Sequence, residues 1–189
     1  VTGSSSGIGR AIALRFSSEG AHVVCADTDP TTGSDSDSAD DGATHNVILQ
    51  SGSNALFVNT NMLNQDPHPN GDRGWIVNVA SIFGMVGTSN FASYCASKGG
   101  IVNMTKAVAL DCAPHRIHVN CICPGWISSQ MTSEVLSDEE TQEHIISLHP
   151  FRGLGIPDDI ARAAVFLASE DSSWITGVAL PVDGGYTAR

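Results

Sequence analysis

Basic residues are scarce in this sequence. Nine Lys and Arg stand against twenty Asp and Glu, giving a formal charge of −11 and a pI near 4.7. So few cations cannot neutralise a run of phosphates, which argues against nucleic acid as a partner. Long apolar runs are also missing, and none approaches the ~18 residues of a membrane span. No charged-then-apolar leader opens the sequence, so the cytosol is the expected compartment and no membrane partner is expected. The five cysteines, Cys25, Cys95, Cys112, Cys121 and Cys123, lack metal-ligand spacing, and their odd number points to free thiols and no metal site. Internal repeats are absent.

The acidity that is present is local. Six acids lie between Asp27 and Asp41 with no Lys or Arg among them, and five more between Glu134 and Glu143. A solvated loop and a solvated helix account for both without an acidic binding tail. The 189 residues, 41% of them hydrophobic, suit one domain with a sizeable core, residues 1–189.

Ile8, Ile12 and Phe16 recur every four residues, which predicts a helix that Gly20 terminates. Residues 21–26 read as a short buried strand ending at Asp27. From 28 to 46 the composition is Ser, Asp, Thr and Gly without hydrophobic period, a flexible acidic loop. Further strands are predicted at Ala55–Val58, Trp75–Ala80, Ile117–Ile122 and Val178–Val182. Helices are predicted at Phe91–Cys112, Ser133–Ser147 and Pro157–Ala168, the last with Pro at a tolerated first-turn position. Cys121 and Cys123 alternate on their strand and should share one face as small core residues. Strands alternating with helices give an α/β fold with a parallel sheet covered on both faces.

Two constellations carry chemistry. Thr2-Gly3-Ser4-Ser5-Ser6-Gly7-Ile8-Gly9 precedes the first helix. Gly3 permits a turn that a side chain would obstruct. Gly7 lets backbone approach a pyrophosphate, and Gly9 allows close packing of the helix, whose N-terminal N–H groups face the phosphate. Asp27, at the end of the next strand, can accept hydrogen bonds from an adenosine ribose diol but repels a 2′-phosphate; alternatively it only starts the acidic loop. The second constellation is Tyr94-Cys95-Ala96-Ser97-Lys98, with Ser81 thirteen residues before Tyr94. Tyr94 and Lys98 are i and i+4, so they share a helix face. An unperturbed tyrosine titrates near ~10, and a nearby ammonium favours its phenolate, which makes the phenol a usable acid and base. Ser81 leaves a strand end, where its hydroxyl can bond a substrate oxygen.

In this order the motifs resemble the short-chain dehydrogenase/reductase family: Thr-Gly-x-x-x-Gly-x-Gly, then Ser, then Tyr-x-x-x-Lys. Asn120-Cys121-Ile122-Cys123-Pro124-Gly125-Trp126-Ile127-Ser128-Ser129 resembles the family's Asn-x-x-x-Pro-Gly segment, and Val182-Asp183-Gly184-Gly185 its closing strand. The resemblance implies a single Rossmann-like, doubly wound domain that interconverts a secondary alcohol and a carbonyl. It implies Ser81, Tyr94 and Lys98 as the catalytic set, with Tyr94 and Lys98 also against the cofactor. Gly3, Ser5, Gly7, Ile8 and Gly9 would hold the dinucleotide. Pro124, Gly125 and the backbone of Ile127 would border its nicotinamide, and Ser129 would replace a threonine that touches the carboxamide or phosphate. Ser6 stands where NADP-dependent relatives often carry a basic residue, so with Asp27 the expectation is NAD over NADP. Residues 126–150 would cover the substrate, with Trp126, Met131, Leu136 and Ile145 as pocket or core residues. That segment is acidic and Arg152 is its nearest possible clamp, so a neutral small molecule is expected.

The sequence departs from the family in two places. Val1 alone represents the first strand. The junction 59–74 is all that joins Val58 to Trp75, where the family has a central strand ending in Asn-Asn-Ala-Gly and flanking helices. The family's catalytic Asn therefore has no counterpart; Asn59 and Asn61 lack its context, and Asn78 suits a structural role. On this ground the fold reads as incomplete. A non-catalytic remnant that binds dinucleotide or forms oligomers stands as the alternative function, and a homo-oligomer is the expected assembly.

Overall fold

Polar side chains buried in the middle of a strand need partners, and two of them, His118 and Asn120, show how this sheet is assembled. The computed structural model describes residues 1–25, 62–64 and 66–188. The chain divides into two compact units, one from Val1–Asn59, Ile127–His144 and Ile156–Val165, the other from Thr60–Trp126, Ile145–Gly155 and Phe166–Arg189.

In the second unit β1 (Gly74–Val79), β2 (Ile117–Pro124) and β3 (Ala179–Val182) form a parallel sheet in the order β1-β2-β3. Gly74 pairs with Ile117 and Val79 with Ile122, then Cys121 with Ala179. β2 is buried along its whole length, as a parallel strand covered on both faces should be. Asn120 donates to the carbonyl of Ile175 at 3.1 Å and accepts from the N–H of Val178 at 3.1 Å. His118 Nδ1 donates to the same carbonyl at 3.1 Å. The polar atoms of β2 thus fasten it to the loop that leads into β3. Cys121 and Cys123 lie with Ala80 and Val102 in one core cluster, on a common face as the strand period requires. Ala109, Ile117 and Val119 form another, against which Met62 and Ile76 pack.

Helix α2 (Ala92–Cys112) runs between β1 and β2 and buries Val102, Thr105 and Ala109. Asn78 donates to the hydroxyl of Thr105 at 3.0 Å, a structural role that ties β1 to α2. Among the described residues no strand lies along the other edge of β1. The short segment before β1 is stitched at its end: buried Asp72 accepts from Arg116 at 2.8 Å and from Asn70 at 2.9 Å.

In the first unit α1 (Gly7–Ser18) buries Arg10, Ile12, Ala13 and Ser17, and Ala13 packs with Val23, Val1, Leu14 and Phe16. It stops at Gly20, whose φ is +88°; Gly20 donates to Ser17 O and Ala21 to Phe16 O, a Schellman pair. The expected strand 21–26 is a correction. Over its described part only Val23 holds a bridge position, as Thr2 also does, and the N-terminal ammonium of Val1 donates to Val24 O at 2.6 Å.

The helix predicted over 133–147 is a second correction. It is two helices, α3 (Gln130–Leu136) and α4 (Glu139–Ser147). Ser137 turns its hydroxyl onto Glu134 O, and Asp138 accepts from the N–H of Thr141 at 2.9 Å, capping the new helix. Those bonds from Thr141 hold the Asp138 carboxyl below the usual range. Helix α5 (Pro157–Leu167) begins at its proline, with Asp158 and Asp159 in the first turn, where carboxylates suit the helix dipole. Asp27, the loop 28–46, the strand Ala55–Val58, Asn59 and Asn61 lie outside the described residues.

Candidate active site

The second unit brings three of the expected residues to one end of β1. Pairing continues past the strand through Ala80, which donates to Ile122 O at 2.8 Å. Ser81 then caps a single 3-10 turn, Ile82–Gly84. Its hydroxyl accepts from the N–H of Phe83 at 3.2 Å, which leaves its own proton to donate. Ser81 is buried.

Lys98 donates to the carbonyl of Val79 at 3.2 Å, and its ammonium stands 5.7 Å from the centre of the Tyr94 ring. Burial lowers the Lys98 pKa, an effect that the nearby Cys123 thiol partly opposes. Cys123 takes a hydrogen bond from the Ser81 backbone, while its bond with Cys121 and its burial push its own titration up. The strand end, the serine turn and the first turns of α2 are thus one packed structure. Gly84 has no room for a side chain, because the backbone of Lys98 occupies that space.

Phe83, which carried no signal in the sequence, is the hub of an aromatic cluster. Its ring meets Tyr94 at 6.4 Å, Trp126 at 6.3 Å and Tyr186 at 6.0 Å, all edge-on, and Phe91 at 6.3 Å. His149 was also missed. It is buried, donates from Nδ1 to Ile145 O at 2.8 Å and accepts the N–H of Trp126 on Nε2 at 3.2 Å. Those two bonds specify a neutral ring with its proton on Nδ1. A Cβ on Gly125 would stand 2.8 Å from Asp183 Cα and 3.0 Å from His149 Nε2, so only glycine fits there. Pro124 ends β2 and is buried. Asp183 accepts from the N–H and hydroxyl of Thr187 and the N–H of Gly185. Burial works against its charge, yet the bonds from Thr187 and Gly185 outweigh it and lower its pKa.

The first unit holds the glycine turn. Gly3 has φ +65° and Gly7 φ +50°, both in the left-handed region, with open space where a side chain would be. A Cβ on Gly9 would overlap the carbonyl oxygen of Gly3, so Gly9 closes the turn onto the helix start. Ser5 is buried beside them and Ile8 is half-buried in the first turn of α1. The cap Ser6 makes no side-chain bond to the helix, and no acidic residue enters its first turn. This is a cradle suited to an anion. Ile127, also in the first unit, is buried and accepts the hydroxyl of Thr132 at 2.6 Å. Ser129 caps α3, its N–H donating to the same hydroxyl at 3.1 Å. Met131 is 90% exposed, while Ile145 is a core residue of the second unit.

A family model described as enoyl-(acyl carrier protein) reductase matches residues 61–187. A 2-(S)-hydroxypropyl-CoM dehydrogenase of Xanthobacter autotrophicus is 41% identical over 120 residues, 61% of this chain and 47% of that protein. This chain thus spans about half the length of that relative. A (3R)-3-hydroxyacyl-CoA dehydrogenase of Canis lupus familiaris is 29% identical over 245 positions, 98% of this chain and 94% of that one. An alignment longer than the 189 residues here means that the relative carries internal sequence without a counterpart. Among solved structures, one from Beutenbergia cavernae, described as an NAD(P)-dependent gluconate 5-dehydrogenase with bound NADP, superposes with a TM-score of 0.82. It is 26% identical, over 100% of this chain and 96% of that one. The chain belongs to the short-chain dehydrogenase/reductase family. No helix among the described residues is long and apolar enough to cross a membrane.

Proposed function

We propose that this protein is an NAD(P)-dependent oxidoreductase that interconverts a secondary alcohol and a carbonyl, with Tyr94 as general acid and base. The observation that supports the reading is that Lys98 bonds the Val79 carbonyl, two residues before the Ser81 turn at the end of β1, with its ammonium 5.7 Å from the Tyr94 ring. A bound nicotinamide supplies or accepts the hydride at the reacting carbon. In reduction the Tyr94 hydroxyl gives its proton to the substrate oxygen as the carbonyl π pair becomes an alkoxide. Ser81 donates a hydrogen bond to that oxygen, and the Lys98 ammonium stabilises the phenolate left on Tyr94. Solvent returns the proton. Oxidation runs the same transfers backward.

Gly3, Ser5, Gly7, Ile8 and Gly9 are the residues for the pyrophosphate, as the anion cradle and the family resemblance both suggest. Pro124, Gly125, Ile127 and Ser129 are assigned to the nicotinamide half by the resemblance alone. Asp27 and the lack of a basic residue at Ser6 favour NAD over NADP. The substrate is a neutral small molecule, the compartment the cytoplasm and the assembly a homo-oligomer.

The test is twofold. Calorimetric titration with NAD should give saturable binding near one cofactor per chain, weakened by Asp27→Ala more for NAD than for NADP. Tyr94→Phe should lower turnover by about 10²–10⁴-fold while keeping that binding; undiminished turnover would end the mechanism. A second reading, a non-catalytic remnant, is favoured by the missing Asn-Asn-Ala-Gly segment between 59 and 74. Folded, monodisperse protein that binds neither cofactor would establish it.

A further inference from the structure

In the segment that leads to Tyr94 the second unit keeps large side chains in solvent. Met85 is 43% exposed, Val86 38%, Phe91 43% and Tyr94 itself 39%. Phe91, whose ring meets that of Tyr94 at 6.5 Å, puts exposed apolar surface directly beside the reactive phenol, and such surface marks a ligand site better than scattered residues do. Their floor is rigid. Phe83 is buried beneath, stacked against Phe91 at 6.3 Å and edge-on to Tyr94 and Trp126. Phe91 in turn meets Tyr94 edge-on at 6.5 Å.

The polar side is equally informative. From Ile82 to Ser97 there is no Asp, Glu, Lys, Arg or His. Lys98, the next cation along the helix, is committed to the carbonyl of Val79. His149, behind Trp126, has both ring nitrogens bonded to backbone. A carboxylate substrate needs a cation aimed at it, and this stretch supplies none. Around Tyr94 the surface offers the ring face and edges of Phe91 over Phe83, which suit an aromatic guest.

We infer that the substrate is a neutral ketone or secondary alcohol with an aryl group on the reacting carbon, the ring received by the aromatic side chains gathered on Phe83. The inference rests on the oxidoreductase reading of Tyr94 and names the substrate class for that site.

The experiment compares 1-phenylethanol, 2-butanol and sorbitol as substrates of the full chain with NAD, and measures acetophenone binding by calorimetry in parallel. The expected result is a kcat/KM for 1-phenylethanol at least about tenfold above that for 2-butanol, with sorbitol inert. Phe91→Ala, which removes the 43% exposed ring and leaves the backbone that starts α2, should erase most of that preference. Turnover of sorbitol or 2-butanol as fast as 1-phenylethanol would overturn the aryl assignment while leaving the oxidoreductase reading intact. Saturable acetophenone binding that Phe91→Ala abolishes, without turnover of any alcohol, would uphold the aryl site and remove the oxidoreductase reading. Neither binding nor turnover would remove both.

Discussion

A methyl group on Gly84 would stand 2.6 Å from the carbonyl oxygen of Lys98, so the serine turn and the tyrosine helix meet backbone to backbone. No side-chain rotation can relieve such a contact. Gly84→Ala should therefore push the turn and α2 apart, costing about 1–3 kcal/mol of stability. The same displacement moves Ser81 relative to Tyr94, so turnover should fall more than cofactor affinity does. Urea unfolding and steady-state kinetics on the one variant check both parts. A variant of unchanged stability would show that the two elements are free to separate.

His149 holds the chain that follows Gly125. Its Nε2 accepts the N–H of Trp126, and its Nδ1 is fixed by Ile145 O. Replacing it with Leu removes the acceptor and leaves a backbone donor without its partner, a loss of about 1–3 kcal/mol. His149→Asn, which keeps a donor and an acceptor, should recover part of it. Equal unfolding free energies for the two variants would show that bulk, not the bonds, matters at this position.

Lys98 gives a pH signature with a definite sign. Its pKa in the folded chain is lowered from 10.5 by burial, so between that lowered value and 10.5 the unfolded chain binds more protons than the folded one. Stability then rises with pH across that window, because the cost of the buried ammonium is relieved as it loses its proton. Compared with Lys98→Met, the wild-type protein should gain stability as pH approaches 10.5. A difference that stays flat with pH would place the ammonium in water.

Much of this arrangement was legible beforehand, for identifiable reasons. The Ser81, Tyr94 and Lys98 spacings are local, and a strand end followed by a helix ties Lys98 to Val79 and sets it 5.7 Å from the Tyr94 ring. Strand and helix periods in the second unit were strong enough to fix β1, β2 and α2 to within a few residues. The single helix over 133–147 failed because Ser137 and Asp138 read as ordinary polar positions, whereas their side chains end one helix and begin another. Phe83 and His149 carry no sequence signal because their roles come from partners distant in the chain: Trp126 and Tyr186 for the first, Trp126 for the second. The family resemblance makes Gly125 a cofactor contact, and the structure adds a packing reason in Asp183 and His149.

Asp183 closes the C-terminal turn, and its titration should be visible in acid. The carboxylate accepts three hydrogen bonds from Thr187 and Gly185, which outweigh its burial and lower its folded-state pKa. A lowered carboxylate contributes stability that is fully present above its unfolded pKa, about 3.9, and is lost as pH falls through the folded value. Asp183→Asn keeps an acceptor but cannot carry the charge. It should be less stable than the wild type near neutral pH, and the gap should shrink as the wild-type carboxyl takes up its proton. Thermal unfolding of both proteins from neutral pH into the acid range measures the gap directly. Two parallel curves would mean that the turn is held by Gly184 and Gly185 in their left-handed conformations, φ +58° and +88°, and not by the charge on Asp183.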